Sequence, residues 1–355
     1  MPLNHIKITD FRCFEAAELE ADPHYNLVYG VNASGKTSLL EAISYLGRGK
    51  SLHGASTQQL IRHGCSEFLL LGQVQTETRV STVGVRNSKE GLEVRIDGDA
   101  RQGSAALAES LPLLIVDPEV HNLVGGGPEG RRRYLDWVAF HVEQGYLARW
   151  RRFRRALKQR NAALRDGASD AVLAGWDKEL VEVSLTVDQS RRQIVELAQT
   201  VFEETAAGLL GDTARLEYRQ GWSKESDLAD ALAAGLARDR EQGTTHAGPH
   251  RADIKLILDE RMAKKTVSRG QQKLLACSLV LTAAELVQSH LERPLLLLLD
   301  DPAAELDAES LERLMSRVIG LGCQVIATAL EPDTRLFPEP PAVFHVKHGR
   351  LEKAA

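Results

Sequence analysis

The 355-residue sequence has only four cysteines, Cys13, Cys65, Cys277 and Cys323, and no two of them form a CxxC pair. Their scatter argues against a zinc site and a disulfide framework, and fits a reducing, cytoplasmic setting. No apolar run approaches the roughly 18 residues that a membrane-spanning helix needs, so no membrane is expected as a partner. The five leucines at 295–299 are bounded by Arg293-Pro294 and Asp300-Asp301, which predicts a buried strand. The opening MPLNHIKITDF lacks the apolar core of a signal peptide. No internal repeat or low-complexity tract is visible. An overall excess of positive charge is missing too, since the formal net charge is −5.

What is present is an ordinary globular composition, 43% hydrophobic and 26% charged, at a length that suits two domains or one large domain with an insertion. The charge is unevenly spread. Residues 131–165 hold eleven Lys and Arg against two acids, Asp136 and Glu143. Two readings of this run stand side by side, a solvated helix face or a surface for nucleic-acid phosphates.

Residues 1–125 read as mixed α/β. IKITDF and NLVYG predict strands, and a helix is expected from about Thr37 to Leu46. EFLLLGQV, RVSTVGVR and LEVRID predict an antiparallel meander, and LPLLIVDPE a further buried strand. GGGPEG at 125–130 marks a boundary. Beyond it the period becomes helical: Tyr146, Trp150, Phe153, Leu157 and Leu164, then Leu180, Val183, Val187, Ile194, Leu197 and Val201. These predict a hairpin of two helices around RDGASDAVLAG, each of about 25 residues or roughly 35 Å. From about 250 the α/β alternation returns. The expected organisation is an ATPase lobe made of residues 1–125 and 250–355, with an inserted, mainly helical lobe at 126–249.

GVNASGKT at 30–37 matches G-x-x-x-x-G-K-[ST] between a strand and a helix, the context that a phosphate cradle requires. The candidate nucleotide-binding residues are Gly30, Val31, Asn32, Ala33, Ser34, Gly35, Lys36, Thr37 and Ser38. The glycines let backbone N–H groups turn inward, and the helix start adds a partial positive charge. Lys36 is expected at the β- and γ-phosphates of ATP, and Thr37 on Mg2+. LLLLLDD supplies the complement: Asp300 ends an apolar strand and is placed to hold Mg2+, and Asp301 is placed to orient the attacking water.

A second anion site is written at 268–271. Ser268 and Gln271 form S-x-x-Q, a helix-capping box. The box leaves Gly270 unexplained, because glycine costs stability in a first turn unless the backbone must approach something closely. The cradle already surrounds one nucleotide. The spare helix start is best used on the γ-phosphate bound by another copy, which predicts an ATP-dependent homodimer.

GVNASGKT, SRGQ, LLLLLDD and AAELD, in this order, resemble the ABC/SMC-type P-loop ATPase heads, which implies an α/β head with an inserted helical lobe carrying a short antiparallel arm. ITDFRCF, GGPEGRRRYLDW, LKQRNAALR and THAGPHRADI further resemble the RecF family of bacterial recombination mediators. The resemblance covers most of the chain. It implies ATP-gated dimerisation on double-stranded DNA, slow DNA-stimulated hydrolysis, and work with RecR and RecO in loading recombinase at gaps. By motif, Ser268, Arg269, Gly270 and Gln271 become the signature acting in trans, Asp307 the loop that crosses the dimer interface, and Thr328 the switch position. Asp301 stands where many such ATPases carry glutamate, which suits a slow switch. No Q-loop glutamine is evident, and Asp117 lies nearest to its expected place. Arg12 is a further nucleotide contact. Arg131, Arg132, Arg133, Arg151, Arg152, Arg154 and Arg155 are the candidate DNA contacts, although Arg131–Arg133 could equally pair with carboxylates. His246 and His250 read as structural.

Three other readings compete. A transporter ATPase subunit fits the motifs but not the long basic insertion or the missing switch histidine. A P-loop nuclease would need an acidic metal domain, for which the roughly 30 residues after IATAL leave no room. A non-hydrolysing ATP-binding scaffold is disfavoured by Asp301.

Overall fold

A computed structural model describes residues 2–75, 79–101 and 103–354, apart from the side chains of Lys265 and Thr266. The chain divides into two compact units, residues 1–120 with 292–355, and residues 121–291.

The first unit begins with β1 (Leu3–Phe11), β2 (Phe14–Glu20) and β3 (Tyr25–Tyr29). It continues through helix Lys36–Arg48, β4 (Glu67–Gln75), β5 (Val80–Ser88), β6 (Gly91–Ile96), β7 (Asp99–Arg101) and β8 (Leu113–Val116). Strands β4, β5 and β6 form the expected antiparallel meander. Together with β1, β2 and β7 they make one six-stranded sheet. Every second residue of β4 is buried, Phe68, Leu70, Gly72 and Val74, as a sheet with one face on the core requires. Helix Lys36–Arg48 buries Leu39, Leu40, Ile43 and Leu46 in the same core. It stops at Gly49, whose φ of +62° closes the last turn.

In the second unit the chain forms helices Pro128–Val142, Tyr146–Arg165 and Asp170–Leu210. They are followed by β9 (Ala214–Arg219), helix Leu228–Gln242, β10 (Asp253–Leu258), β11 (Arg261–Met262) and helix Arg269–Leu291. The helical pair is unequal, 20 residues against 41. The expected loop covers too much chain: the longer helix starts already at Asp170 and meets no stop until Gly211 at φ +78°. Its buried stripe also drifts, with Ala198 and Phe202 in the core while Leu197 is exposed. Residues 250–291 do not belong to the ATPase lobe as the sequence suggested. Strand β10 pairs antiparallel with β9, and helix Arg269–Leu291 packs on helices Asp170–Leu210 and Pro128–Val142. Helix Arg269–Leu291 is long and apolar enough to cross a membrane by composition, with mean hydropathy 1.5, but 67% of that stretch is buried in protein. It is the core helix of this unit.

The chain returns to the first unit with β12 (Leu296–Leu299), β13 (Gln324–Ala329), β14 (Ala342–Lys347) and β15 (Arg350–Lys353). The second large sheet has the order β15-β14-β3-β13-β12-β8 and is parallel except for the β14–β15 hairpin. All four residues of β12 are buried, which is why this strand is a continuous leucine run: both faces of a central parallel strand are covered.

The second unit also absorbs much of its own charge. Arg160 is fully buried between Asp177, Asp239 and Thr245. Arg191, equally enclosed, forks onto Asp136 at 2.8 and 3.1 Å. Replacing Arg160 by alanine leaves two carboxylates without their cation. It is expected to cost about 3–5 kcal/mol, read as a lowered urea midpoint. A midpoint equal to wild type would show that the ion pair contributes nothing net.

Candidate nucleotide site

Strand β3 runs buried into Gly30, and the chain turns through residues 30–35 before helix Lys36–Arg48. Two positions of the turn demand glycine. Gly30 has φ +157°, and a Cβ there would stand 2.4 Å from the carbonyl oxygen of Val346. Gly35 has φ +118°, and a Cβ there would stand 2.8 Å from Cys13 Sγ. Ser34 is buried and its carbonyl accepts from the Gly349 N–H, so the β14–β15 turn braces the loop from outside. Val31, Asn32 and Ala33 are exposed, and Ser38 continues the helix. Lys36 Nζ donates to the carbonyls of Gly30 at 2.6 Å and Val31 at 3.1 Å, which holds the ammonium on the loop. The first helical turn carries no acid, so the positive end of the helix is uncompensated. This is an anion cradle on the ordinary physical grounds of fixed N–H groups and a helix terminus.

Strand β12 delivers the opposing charge. Asp300 is 5% exposed, and both of its carboxylate oxygens are held by hydroxyls. Thr37 Oγ1 donates to Oδ2 at 2.8 Å, and Thr328 Oγ1 donates to Oδ1 at 2.8 Å. The Thr37–Asp300 bond joins the loop motif to the acidic motif, 263 residues away in sequence. A hydroxyl and a carboxylate at this distance are the hard oxygen donors that Mg2+ accepts, with the rest of its shell left to phosphate and water. No group of three or more His, Cys, Asp or Glu suited to a metal occurs among the described residues.

Asp301 is half-buried at φ +47°, and its carboxylate has no hydrogen-bond partner among the described residues. It is free to hold a water. Asp117 directly follows β8, the strand beside β12. Burial pushes its carboxyl up, His53 draws it back, and the charge of Asp300 adds to the rise. Arg12 sits at φ +51° and places two guanidinium nitrogens on Glu41, each at 2.8 Å, and a third on the Gln59 carbonyl. Glu41 is an anchor that the motifs do not reveal. A charged residue inside the apolar run SLLEAISYL was the signal for it.

Thr328, the expected switch position, is 0% exposed, and its hydroxyl is engaged with Asp300 and with the Asp301 N–H. One expectation needs correction: Arg131 is not a surface contact. It is buried on Asp253 and on the Leu123 and Gly126 carbonyls. Arg132 is half-buried and donates to the Ala252 carbonyl, Arg133 pairs with Glu129, and Arg152 pairs with Glu179 and Glu182. Arg133 and Arg152 stay exposed despite these pairs. Arg151, Arg154 and Arg155, together with Lys158, which was not among the expected contacts, are also exposed, and these four lie at spacings of three and four on helix Tyr146–Arg165, so they share one face. Arg154 rests over the Trp150 ring.

In the second unit the reciprocal capping box forms as expected. Gln271 Oε1 accepts from the Ser268 N–H at 3.0 Å, and Ser268 Oγ accepts from the Gln271 N–H at 3.3 Å. Ser268 and Arg269 are exposed, and Gly270 is half-buried. Asp307 caps helix Ala308–Gly320 by accepting from the Ser310 N–H, a bond that also holds its carboxyl below the usual range. His246 is bonded to Asp239. His250 is pushed down to about 4, chiefly by burial, which agrees with structural roles for both.

The fold and this site define a P-loop ATPase head of the ABC/SMC class. The RecF/RecN/SMC N terminal domain family matches residues 2–347. The sequence is 39% identical to the DNA replication and repair protein RecF of Pseudomonas paraeruginosa, over 99% of this chain and 98% of that protein. It is equally similar to RecF of Azotobacter vinelandii, with the same coverage. The chain belongs to the RecF family. Among solved structures, the recombination mediator protein RecF-ATPrS of the RecFOR pathway shares the fold at a TM-score of 0.89 and 24% identity, covering 100% of this chain and 99% of that one. An Smc head bound to the C-winged helix domain of ScpA shares it at 0.61 and 15% identity, with 100% and 97% covered.

Lys36→Met removes the charge on the cradle while leaving the loop glycines in place. ATP affinity is expected to fall at least tenfold, the equivalent of about 1.4 kcal/mol, in equilibrium binding of a fluorescent ATP analogue. Retained affinity would remove Lys36 from the site.

Proposed function

We propose that this protein is an ATP-dependent DNA-binding protein of replication and recombinational repair. ATP with Mg2+ binds the cradle, two copies close with each signature on the other's γ-phosphate, and the closed dimer engages duplex DNA. Slow hydrolysis, stimulated by DNA, releases it, and the partners are RecR and, through it, RecO. The observation that carries this reading is the Thr37–Asp300 bond, which joins the two expected Mg2+-holding side chains at the cradle. The relatives' name as DNA replication and repair proteins supports the biological setting. The solved RecF of the RecFOR pathway supports the partner assignment by family membership.

The trans role of the signature rests on its position at the surface. Ser268 stands at a helix start, held by its own capping box. Ser268→Arg is expected to leave ATP binding by the monomer within about threefold of wild type, roughly 0.7 kcal/mol, and to abolish ATP-dependent dimerisation in sedimentation velocity. It is best compared in an Asp301→Asn background that retains ATP. Normal dimerisation of Ser268→Arg would refute the sandwich.

DNA binding is assigned to the exposed face carrying Arg151, Arg154, Arg155 and Lys158. Such side chains bind phosphates, which makes the binding independent of sequence. Replacing Arg151, Arg154 and Arg155 together by alanine is expected to weaken binding to unrelated duplexes alike. The dependence of log affinity on log salt should become shallower by up to about 2.7, or 0.9 for each phosphate no longer neutralised. An unchanged slope would move the DNA surface elsewhere.

A further inference from the structure

Resting on the reading of this site as an ATPase, we propose that Thr328 is a positioning residue of the hydrolytic centre. One buried hydroxyl fixes both acidic residues, Asp300 through a carboxylate oxygen and Asp301 through its backbone.

The ladder between β12 and β13 explains why a hydroxyl is needed there. The two strands pair in parallel up to Leu299↔Ala327. Beyond that point Asp301 turns into the left-handed region at φ +47°, and its N–H leaves the ladder. A backbone donor at a buried strand end must find another acceptor. Thr328 Oγ1 accepts that N–H at 2.9 Å and donates its own O–H to Asp300 Oδ1 at 2.8 Å. The hydroxyl has one proton to donate, and it is committed to Asp300. It has nothing left to give a phosphate, and the side chain is 0% exposed, so a direct nucleotide contact is closed to it.

The chemical consequence is a division of labour on Asp300. Oδ1 is immobilised by Thr328, and Oδ2 is turned toward Thr37, where Mg2+ is expected. The bond to the Asp301 N–H holds a backbone conformation that L-residues other than glycine seldom adopt. It therefore sets the direction in which the unpartnered Asp301 carboxylate leaves the strand. Metal placement and water orientation thus share one support. Outer supports of this kind change metal affinity or activity by about 10–100-fold when removed.

The test uses two matched pairs in the full chain: threonine against valine, which differ in the hydroxyl at constant shape, and Thr328→Ser against Thr328→Ala, which differ only in the hydroxyl. The second pair keeps the question open to an answer should Thr328→Val fail to fold. Three quantities are measured: amide hydrogen exchange at Asp301 without nucleotide, ATP-analogue affinity in EDTA, and hydrolysis across a Mg2+ titration. Wild type and Thr328→Ser are expected to protect the Asp301 amide, and Thr328→Val and Thr328→Ala to expose it by about tenfold or more. The hydroxyl-free variants should need about tenfold more Mg2+ for half-maximal hydrolysis and lose about 10–100-fold in rate. Their metal-free nucleotide affinity should stay within about threefold of wild type. Equal loss in Thr328→Ser and Thr328→Ala, or unchanged exchange at Asp301 in the hydroxyl-free variants, would overturn the proposal. Wild-type protein that binds no ATP would instead sink the reading of the site, while the exchange measurement still decides what Thr328 holds.

Discussion

The carboxylate of Asp300 is the constraint on which the catalytic half of this molecule depends. An acid that is 5% exposed at the end of a fully buried strand is costly unless both oxygens are satisfied. Two threonine hydroxyls satisfy them, one from the cradle helix and one from the neighbouring strand. Much of the first unit follows from keeping these three residues in register. The parallel order β3-β13-β12-β8 brings Gly30, Thr328, Asp300 and Asp117 to the same end of the sheet. The apolar leucines of β12 fix the strand in depth, since any slip would draw the acid into the core or push a leucine into the site. Ligands of open α/β sheets bind at the carboxyl ends of strands, and here that end holds the acids and the cradle together.

The second unit handles charge in the opposite way. Its excess of arginine looks like a coat for nucleic acid, yet Arg131, Arg160 and Arg191 are consumed inside by Asp253, Asp177, Asp239 and Asp136. Buried pairs of this kind give geometry more than stability, because desolvation offsets most of their attraction. They lock helices Pro128–Val142, Tyr146–Arg165 and Asp170–Leu210, strand β10 and the 249–251 turn to one another through directional forks. Part of what remains for solvent is the stripe of Arg151, Arg154, Arg155 and Lys158 on one helix face. The basic character of the segment and its capacity to bind a polyanion are thus separate properties, carried by different residues.

The cradle, the leucine strand with its two acids, the meander and the capping box were legible in the sequence because each is local: spacing, alternation and a reciprocal S-x-x-Q are written within ten residues or fewer. The arginine partners were not, since Arg131 finds Asp253 across 122 residues and Arg160 finds Asp239 across 79, and no periodicity encodes those meetings. The same holds for residues 250–291. Strand β10 has the alternation of any strand, and only its pairing with β9, a strand that no sequence signal isolated, places it in the second unit. The length of helix Asp170–Leu210 was underestimated for a different reason. Gly175 and Gly208 both fall inside the helix, where glycine costs about 1 kcal/mol without ending it, whereas Gly211 at φ +78° does end it. Lys158 was readable, being three residues beyond Arg155 on the same face, but it stands outside the dense arginine cluster that marks the segment.

The capping box at Ser268 carries a further physical implication for how such a head would open and close. Its two bonds run from the Ser268 N–H to Gln271 Oε1 and from the Gln271 N–H to Ser268 Oγ. The second is the bond that a phosphate oxygen would replace, since the N–H groups of a first turn are anion donors whatever acceptor they hold. Giving up a serine cap costs about 0.5–2 kcal/mol, and a charged acceptor returns more than a neutral one. The balance therefore tips on the charge of the incoming oxygen rather than on a large rearrangement of the helix. On the proposed function, such a cap would keep the helix start ordered in the monomer and give way to an incoming γ-phosphate. Asp301, whose side chain is one methylene shorter than glutamate and whose backbone lies in a left-handed turn, would on the proposed function hold the attacking water less firmly than glutamate does.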